Sequence, residues 1–224
     1  MSNGSLSNNW QIYGEVFCLH AHQLLAWAYV DARDDLNPDM EEPDITGLLA
    51  NAMKRRLDYH PETSDEYLHY SVGDQEPHSP DGQRGNDRLR FDIAIIRSGI
   101  RPRLSFIFEA KRLRTGGFPI GKYIGEGGMG DFIACRYGAD YPEAAMIGLF
   151  QNKDVSYWHA ELKRVVKEDQ LENVPRLAIR ANVAPIEILP SLPNELNSIH
   201  RRINGSDIRL YHIFLCCCEG SPTG

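Results

Sequence analysis

A chain of 224 residues with 42% hydrophobic and 25% charged side chains has the make-up of a folded protein, which excludes a disordered chain. Its length suits one large domain or two small ones, and no apolar run reaches the ~18–20 residues of a membrane span. A net charge of −7, from 24 Lys+Arg against 31 Asp+Glu, excludes a general polyanion binder. The polar start MSNGSLSNNW reads as no secretory signal, and three of the five cysteines are adjacent (Cys216, Cys217, Cys218). That spacing suits neither a disulfide framework nor a zinc site, so reduced thiols in a cytoplasmic protein away from membranes are expected.

The charge is unevenly spread. Residues 31–44 hold seven acids and one base, whereas residues 84–122 hold ten bases and three acids. A basic block within an acidic protein is a candidate footprint for phosphates, to be weighed against a solvated hairpin face.

In chain order, residues 15–33 read as a helix with Val16, Leu19, Gln23, Ala26 and Val30 on one face, and Phe17, Leu24 and Trp27 near it. Cys18, His20 and His22 on it are ordinary helix residues, because positions 20 and 22 diverge. An acidic loop with Pro38 follows. Residues 43–57 make a second helix, with Pro43 near its start, basic residues in its last turn and an inward stripe of Ile45, Leu48, Leu49, Ala52 and Met53. Residues 66–72 alternate as an edge strand does, and 73–87 have loop composition.

LRFDIAIIR (89–97) and RLSFIFEAK (103–111) are strand-like runs joined by the turn sequence SGIRP. If Ser98 and Arg103 close the turn, Asp92 lies opposite Glu109, and Arg90 opposite Lys111. A register slip of one residue would turn Asp92 to the other face. A glycine-rich connection, a short helix (129–138), a buried strand (143–151), an amphipathic helix (155–169), a proline-punctuated stretch with IEIL, and a last strand (209–218) complete the chain. Trp158, Leu162, Val165 and Val166 form the inward face of the amphipathic helix. The order predicts one α/β domain with a mixed sheet.

Asp92 and Glu109-Ala110-Lys111 interrupt otherwise apolar runs. Two facing carboxylates repel unless a cation separates them, and hard oxygen ligands at that spacing suit Mg²⁺ or Mn²⁺. A lysine on the same face can position an attacking water or stabilise charge on phosphorus oxygens. The bland alternative is a salt-bridged strand end, opposed by the cost of burying unpartnered charge.

RFDIAII…FIFEAKR resembles the core hairpin of the PD-(D/E)xK, or restriction-endonuclease-like, nuclease superfamily. Asp92 matches its first acid, Glu109 the second and Lys111 its lysine, while Phe91 stands where the motif's proline is often replaced. EEPDITGLL resembles the upstream helix that carries a further carboxylate, for which Glu42 is chosen over Glu41 and Asp44. The resemblance covers about residues 41–151. It implies an αβββαβ core with a mixed central sheet flanked by helices, within one domain spanning 1–224, with a helical addition at 1–40 and a helix-and-strand addition at 152–224. It further implies a Mg²⁺- or Mn²⁺-dependent endonuclease, most simply of DNA, leaving 5′-phosphates. Glu42, Asp92 and Glu109 would hold the metal, and Lys111 would orient the water. Such nucleases often serve prokaryotic anti-phage defence, alone, as homo-oligomers, or with a helicase or sensor partner. Arg112, Arg114, Lys122 and Tyr123 are the expected nucleic-acid contacts, with Lys122 and Tyr123 set beside a glycine cluster. Gln151 is a candidate accessory of the active site. The alternative is an inactive nucleic-acid-binding or scaffolding module of the same fold.

Overall fold

The computed structural model describes residues 3–59, 65–78, 89–99, 101, 103–173 and 175–218, with the side chains of 3–12, 76–78 and 89 outside that description. Its helices are α1 (Asn3–Ala32), α2 (Glu42–Tyr59), α3 (Ile120–Ile124), α4 (Met129–Ile133) and α5 (Val155–Gln170). Its strands are β1 (Tyr70–His78), β2 (Leu89–Arg97), β3 (Leu104–Leu113), β4 (Glu143–Phe150), β5 (Ile179–Pro185), β6 (Leu196–Arg201) and β7 (Asp207–Cys216). All seven strands join one mixed sheet in the order β1-β2-β3-β4-β7-β6-β5. The β3–β4 and β4–β7 pairs are parallel and the others antiparallel. Among the described residues no helix is long and apolar enough to cross a membrane.

The alternation of β-strand side chains divides the interior into two layers. Ile93, Ile95, Phe106, Phe108, Ala145, Ile147 and Leu149 face α1 and α2, whereas Ala94, Ile107, Leu113, Ala144 and Met146 face the layer of α3, α4 and α5. β4 is flanked by parallel neighbours and buried along seven of its eight residues, which is why EAAMIGLF reads as a continuous apolar run. Gly148 lies where a β-carbon would meet Leu113 and Phe214 at 2.8 Å, so only a glycine lets those side chains close over the strand.

Several boundaries and one helix face differ from the sequence expectation. α1 begins well before residue 15, and its buried positions include Phe17, Cys18, Ala21, His22, Leu24, Leu25, Ala28 and Ala32. Of the expected inward face, Val16, Leu19 and Val30 are exposed and only Ala26 is buried. The run LLAWAYV is apolar around most of the helix, so periodicity could not choose between faces; packing against α2 and β3 does. α2 meets its expected stripe, with Ile45, Leu49, Ala52 and Met53 fully buried. The expected edge strand starts at Tyr70 rather than residue 66 and runs on through residues read as loop. The rest of that loop, 79–87, lies outside the described residues. β5 and β6 had no strand expectation, because Pro185, Pro190 and Pro193 suggested irregular chain. The C-terminal segment is thus part of the sheet, and β7 is one of its interior strands.

The cysteines are all free thiols. Cys18 and Cys217 are buried, and desolvation pushes both up to about 12. Beneath α3 and α5, a hydrogen-bonded chain crosses the buried face of β6 and β7. His200 Nδ1 lies 2.6 Å from the Leu177 carbonyl and so must carry the proton there. The rest follows in sequence: Ser198 donates to His200 Nε2 (2.6 Å), His212 Nε2 donates to Ser198 Oγ (2.8 Å), and the Tyr123 hydroxyl donates to His212 Nδ1 (3.0 Å). Ser198→Ala would strand one acceptor and one donor in the interior, and a loss of about 2–4 kcal/mol in urea unfolding is expected.

Candidate active site

The site lies where β2 and β3 part. Their ladder runs from Arg97↔Leu104 to Ile93↔Phe108, the register expected from the turn. Beyond it, β3 offers two backbone N–H groups that β2 no longer takes, and carboxylates accept both. Asp92 Oδ2 accepts from the Ala110 N–H at 2.8 Å, and Glu42 Oε2 accepts from the Arg112 N–H at 3.0 Å. The notch thus fixes two acids by backbone hydrogen bonds, the most geometrically constrained donors available. The expected Arg90–Lys111 pairing does not form; Arg90 is opposite Pro77 of β1.

Gln75, which the sequence placed in a loop, completes the hold on Asp92. It sits in β1 with φ of 52° between the pairs Asp74↔Ile93 and Glu76↔Phe91, and its Nε2 donates to Asp92 Oδ1 at 2.9 Å. A non-glycine residue in the left-handed region is strained, and such strain concentrates where a side chain must be aimed. No composition signal marks Gln75, because its role exists only across two paired strands.

Lys111 stands between the acids. Its Nζ donates to Glu109 Oε1 (2.8 Å), Glu42 Oε1 (2.9 Å) and the Ala110 carbonyl (2.6 Å), which uses all three of its donors. Burial alone would lower its pKa, but Glu109, Glu42 and Asp92 outweigh that and hold the ammonium above the ordinary lysine value. Burial raises Asp92, with Lys111 and the Ala110 N–H pulling it partly back. Burial also lifts Glu109 well above the usual carboxylate range, Asp92 adds to the shift, and Lys111 opposes it. Glu109 Oε2 is buried with no hydrogen-bond partner. One ammonium among three carboxylates leaves the site short of positive charge.

The structure therefore brings together Glu42, Asp92, Glu109 and Lys111. Glu41 and Asp44, the weaker choices beside Glu42, point elsewhere: Glu41 pairs with the Arg112 side chain and Asp44 is exposed. The acids do not form a ready-made cage, since among the described residues no group of three or more His, Cys, Asp or Glu side chains is arranged around an ion position. Lys111 is the physical reason, because its ammonium stands between Glu42 and Glu109. The orphaned Glu109 oxygen and the uncompensated charge are the features of this donor set that suit a divalent ion.

The expected nucleic-acid contacts divide. Lys122 is exposed on α3. Tyr123 is not a contact: it is fully buried, stacked near Phe214, with its hydroxyl in the histidine chain. Helical spacing turns Tyr123 inward when its neighbour Lys122 faces out. Arg114 is half exposed and Arg112 largely covered, and both already meet acids of this chain. Gln151 is buried and donates to the Met40 carbonyl at 2.9 Å rather than to a site carboxylate, so it holds the segment leading into Glu42. Tyr137, which the sequence did not suggest, lies close enough for Glu109 and Asp92 to help burial raise its pKa, and it stacks edge-on against Phe91 and Phe132. Searches of family models, curated proteins and solved structures find nothing that this chain matches.

Proposed function

We propose that the protein is a metal-dependent phosphodiesterase acting on nucleic acid, most simply a DNA endonuclease of the PD-(D/E)xK type. The observation that carries the reading is the Asp92–Glu109–Lys111 cluster at the parted strands, with a buried Glu109 oxygen that lacks a partner. The element order α2, β1, β2, β3, α3 with α4, then β4, laid out as β1-β2-β3-β4, supports it as the arrangement the resemblance implies.

Glu42, Asp92 and Glu109 are the residues that would hold Mg²⁺ or Mn²⁺, which supplies Lewis-acid polarisation of the phosphate and a water of lowered pKa. Asp92 is aimed by the Ala110 N–H and Gln75, and Glu42 by the Arg112 N–H. Lys111, released from Glu109, places a point charge beside the oxygens on which negative charge develops and orients the attacking water. Arg112, in β3, and Arg114, just past its end, are the residues that would take flanking phosphates.

Incubation of supercoiled plasmid, linear DNA and RNA with Mg²⁺, Mn²⁺ or EDTA tests the reading, and cleavage that EDTA abolishes is the expected result. Mn²⁺ should also raise the melting temperature of the wild type, and should raise it far less for Asp92→Asn or Glu109→Gln. A second reading, a binding module without catalysis, draws on the complete engagement of Lys111. Nucleic-acid affinity with no cleavage under any metal would establish it.

A further inference from the structure

The acidic segment and the basic block set apart in the sequence meet in the fold. Asp39 lies 3.5 Å from Arg114, Glu41 lies 2.6 Å from Arg112, and Glu42 lies 2.9 Å from Lys111. Acids at positions 39 and 41 thus face arginines at 114 and 112, so both sides carry the same two-residue repeat running in opposite directions.

The acidic side is a built strap. Leu36 is buried and Met40 packs on the α1–α2 core, which anchors the chain at two points four residues apart. Asn37 Oδ1 accepts from the Asp39 N–H at 3.1 Å, and the Met40 carbonyl accepts from both Gln151 Nε2 and Arg112 Nη1. With its apolar residues inward, the strap presents Asp39 and Glu41 outward. On the basic side, the Arg112 guanidinium lies over the Phe118 ring at 3.9 Å, which holds its planar fork toward the carboxylate.

Asp39, 84% exposed, meets a half-exposed Arg114, a pair that contributes little to stability, and Glu41, 65% exposed, meets the largely covered Arg112 with its own carboxylate open to solvent. They are readily exchanged. A phosphodiester offers the guanidinium fork the same pair of anionic oxygens that a carboxylate does.

We propose that residues 36–41 are a resident mimic of nucleic acid: Asp39 and Glu41 occupy, on Arg114 and Arg112, the places of substrate phosphates, which must displace them to bind. The inference deepens the nuclease reading and rests on it. Its consequence is a threshold on binding. The released carboxylates gather counterions as phosphates lose theirs, so the strap lowers both affinity and its dependence on salt.

The test compares the full chain with the double variant Asp39→Asn with Glu41→Gln, in EDTA, by fluorescence anisotropy on a short DNA and by affinity for heparin as a plain polyanion. The double variant should bind both at least about tenfold more tightly at low salt, with a log–log salt slope steeper by about one to two. Asp58→Asn with Glu172→Gln makes the same charge change at exposed positions away from the strap and should gain under about twofold. In an Arg112→Gln, Arg114→Gln background the strap substitutions should gain nothing. Wild-type affinity in the strap variant, a gain no larger than that of the distant control, or a gain that survives loss of both arginines overturns the inference. Cleavage and binding by the wild type with an inert strap would remove the strap alone. A gain on heparin by a protein that binds no DNA would keep the strap and remove the nuclease reading.

Discussion

Lys111→Ala is expected to reduce nucleic-acid cleavage by about 10²–10³-fold or more, the scale lost when one preorganised charge-stabilising group is removed. The same substitution has a second effect that follows from the contacts of Lys111. Its ammonium is the cation shared by Glu42 and Glu109, so its loss leaves buried carboxylates facing one another, at a cost of about 3–5 kcal/mol without metal. Mn²⁺ should restore part of that loss, and the melting temperature of Lys111→Ala should therefore respond to Mn²⁺ more strongly than that of the wild type. Lys111→Arg should recover stability better than cleavage, because a planar guanidinium keeps the charge but cannot place it at the same point. Full cleavage by Lys111→Ala would make the lysine a structural cation only.

The second large effect is on stability against pH. Burial lowers His22 and His200 to about 4 and His212 to about 3, so all three are neutral in the fold. In the unfolded chain each takes a proton near pH 6.5. Their contribution is full above that pH and is lost as pH falls toward the folded values, at about 4 kcal/mol per pH unit for three protons. Glu195 acts in the opposite sense. Burial raises it to about 8 against the small pull of the Ile188 N–H, its oxygens are buried without a close hydrogen-bond partner, and His22 Nε2 lies 3.9 Å away. The folded state holds a proton there that the unfolded chain has released, so stability falls from about pH 4.5 to about pH 8 at about 1.4 kcal/mol per unit. The two trends cross to give a maximum near pH 6.5, measurable by urea unfolding across pH 4–9. Glu195→Gln should make the decline between pH 6.5 and 8 shallower by about 1.4 kcal/mol per unit, leaving the share of the other raised carboxylate, Glu109, and an unchanged decline would mean that Glu195 is ionised in the fold.

The part of the molecule legible in the sequence is the part built from local pattern. Apolar runs broken by Asp92, Glu109 and Lys111 marked β2 and β3, and the turn between them set their register, because side chains alternate strictly and a hairpin turn leaves little freedom. α2 showed its inward stripe because its apolar residues occupy one side only. Tertiary structure alone decided the rest. The buried face of α1 depended on what packs beside a helix apolar nearly all round. β6 depended on β7 as a template and β5 in turn on β6, a pairing that outweighed Pro185 at the end of β5. The aim of Asp92 came from Gln75 across a strand boundary, and that of Glu42 from the Arg112 N–H seventy residues away. The charge of Arg112 and Arg114 was visible in the sequence. That their partners in the fold are Glu41 and Asp39 was not, since a net charge is a sum over residues and an ion pair is a position in space.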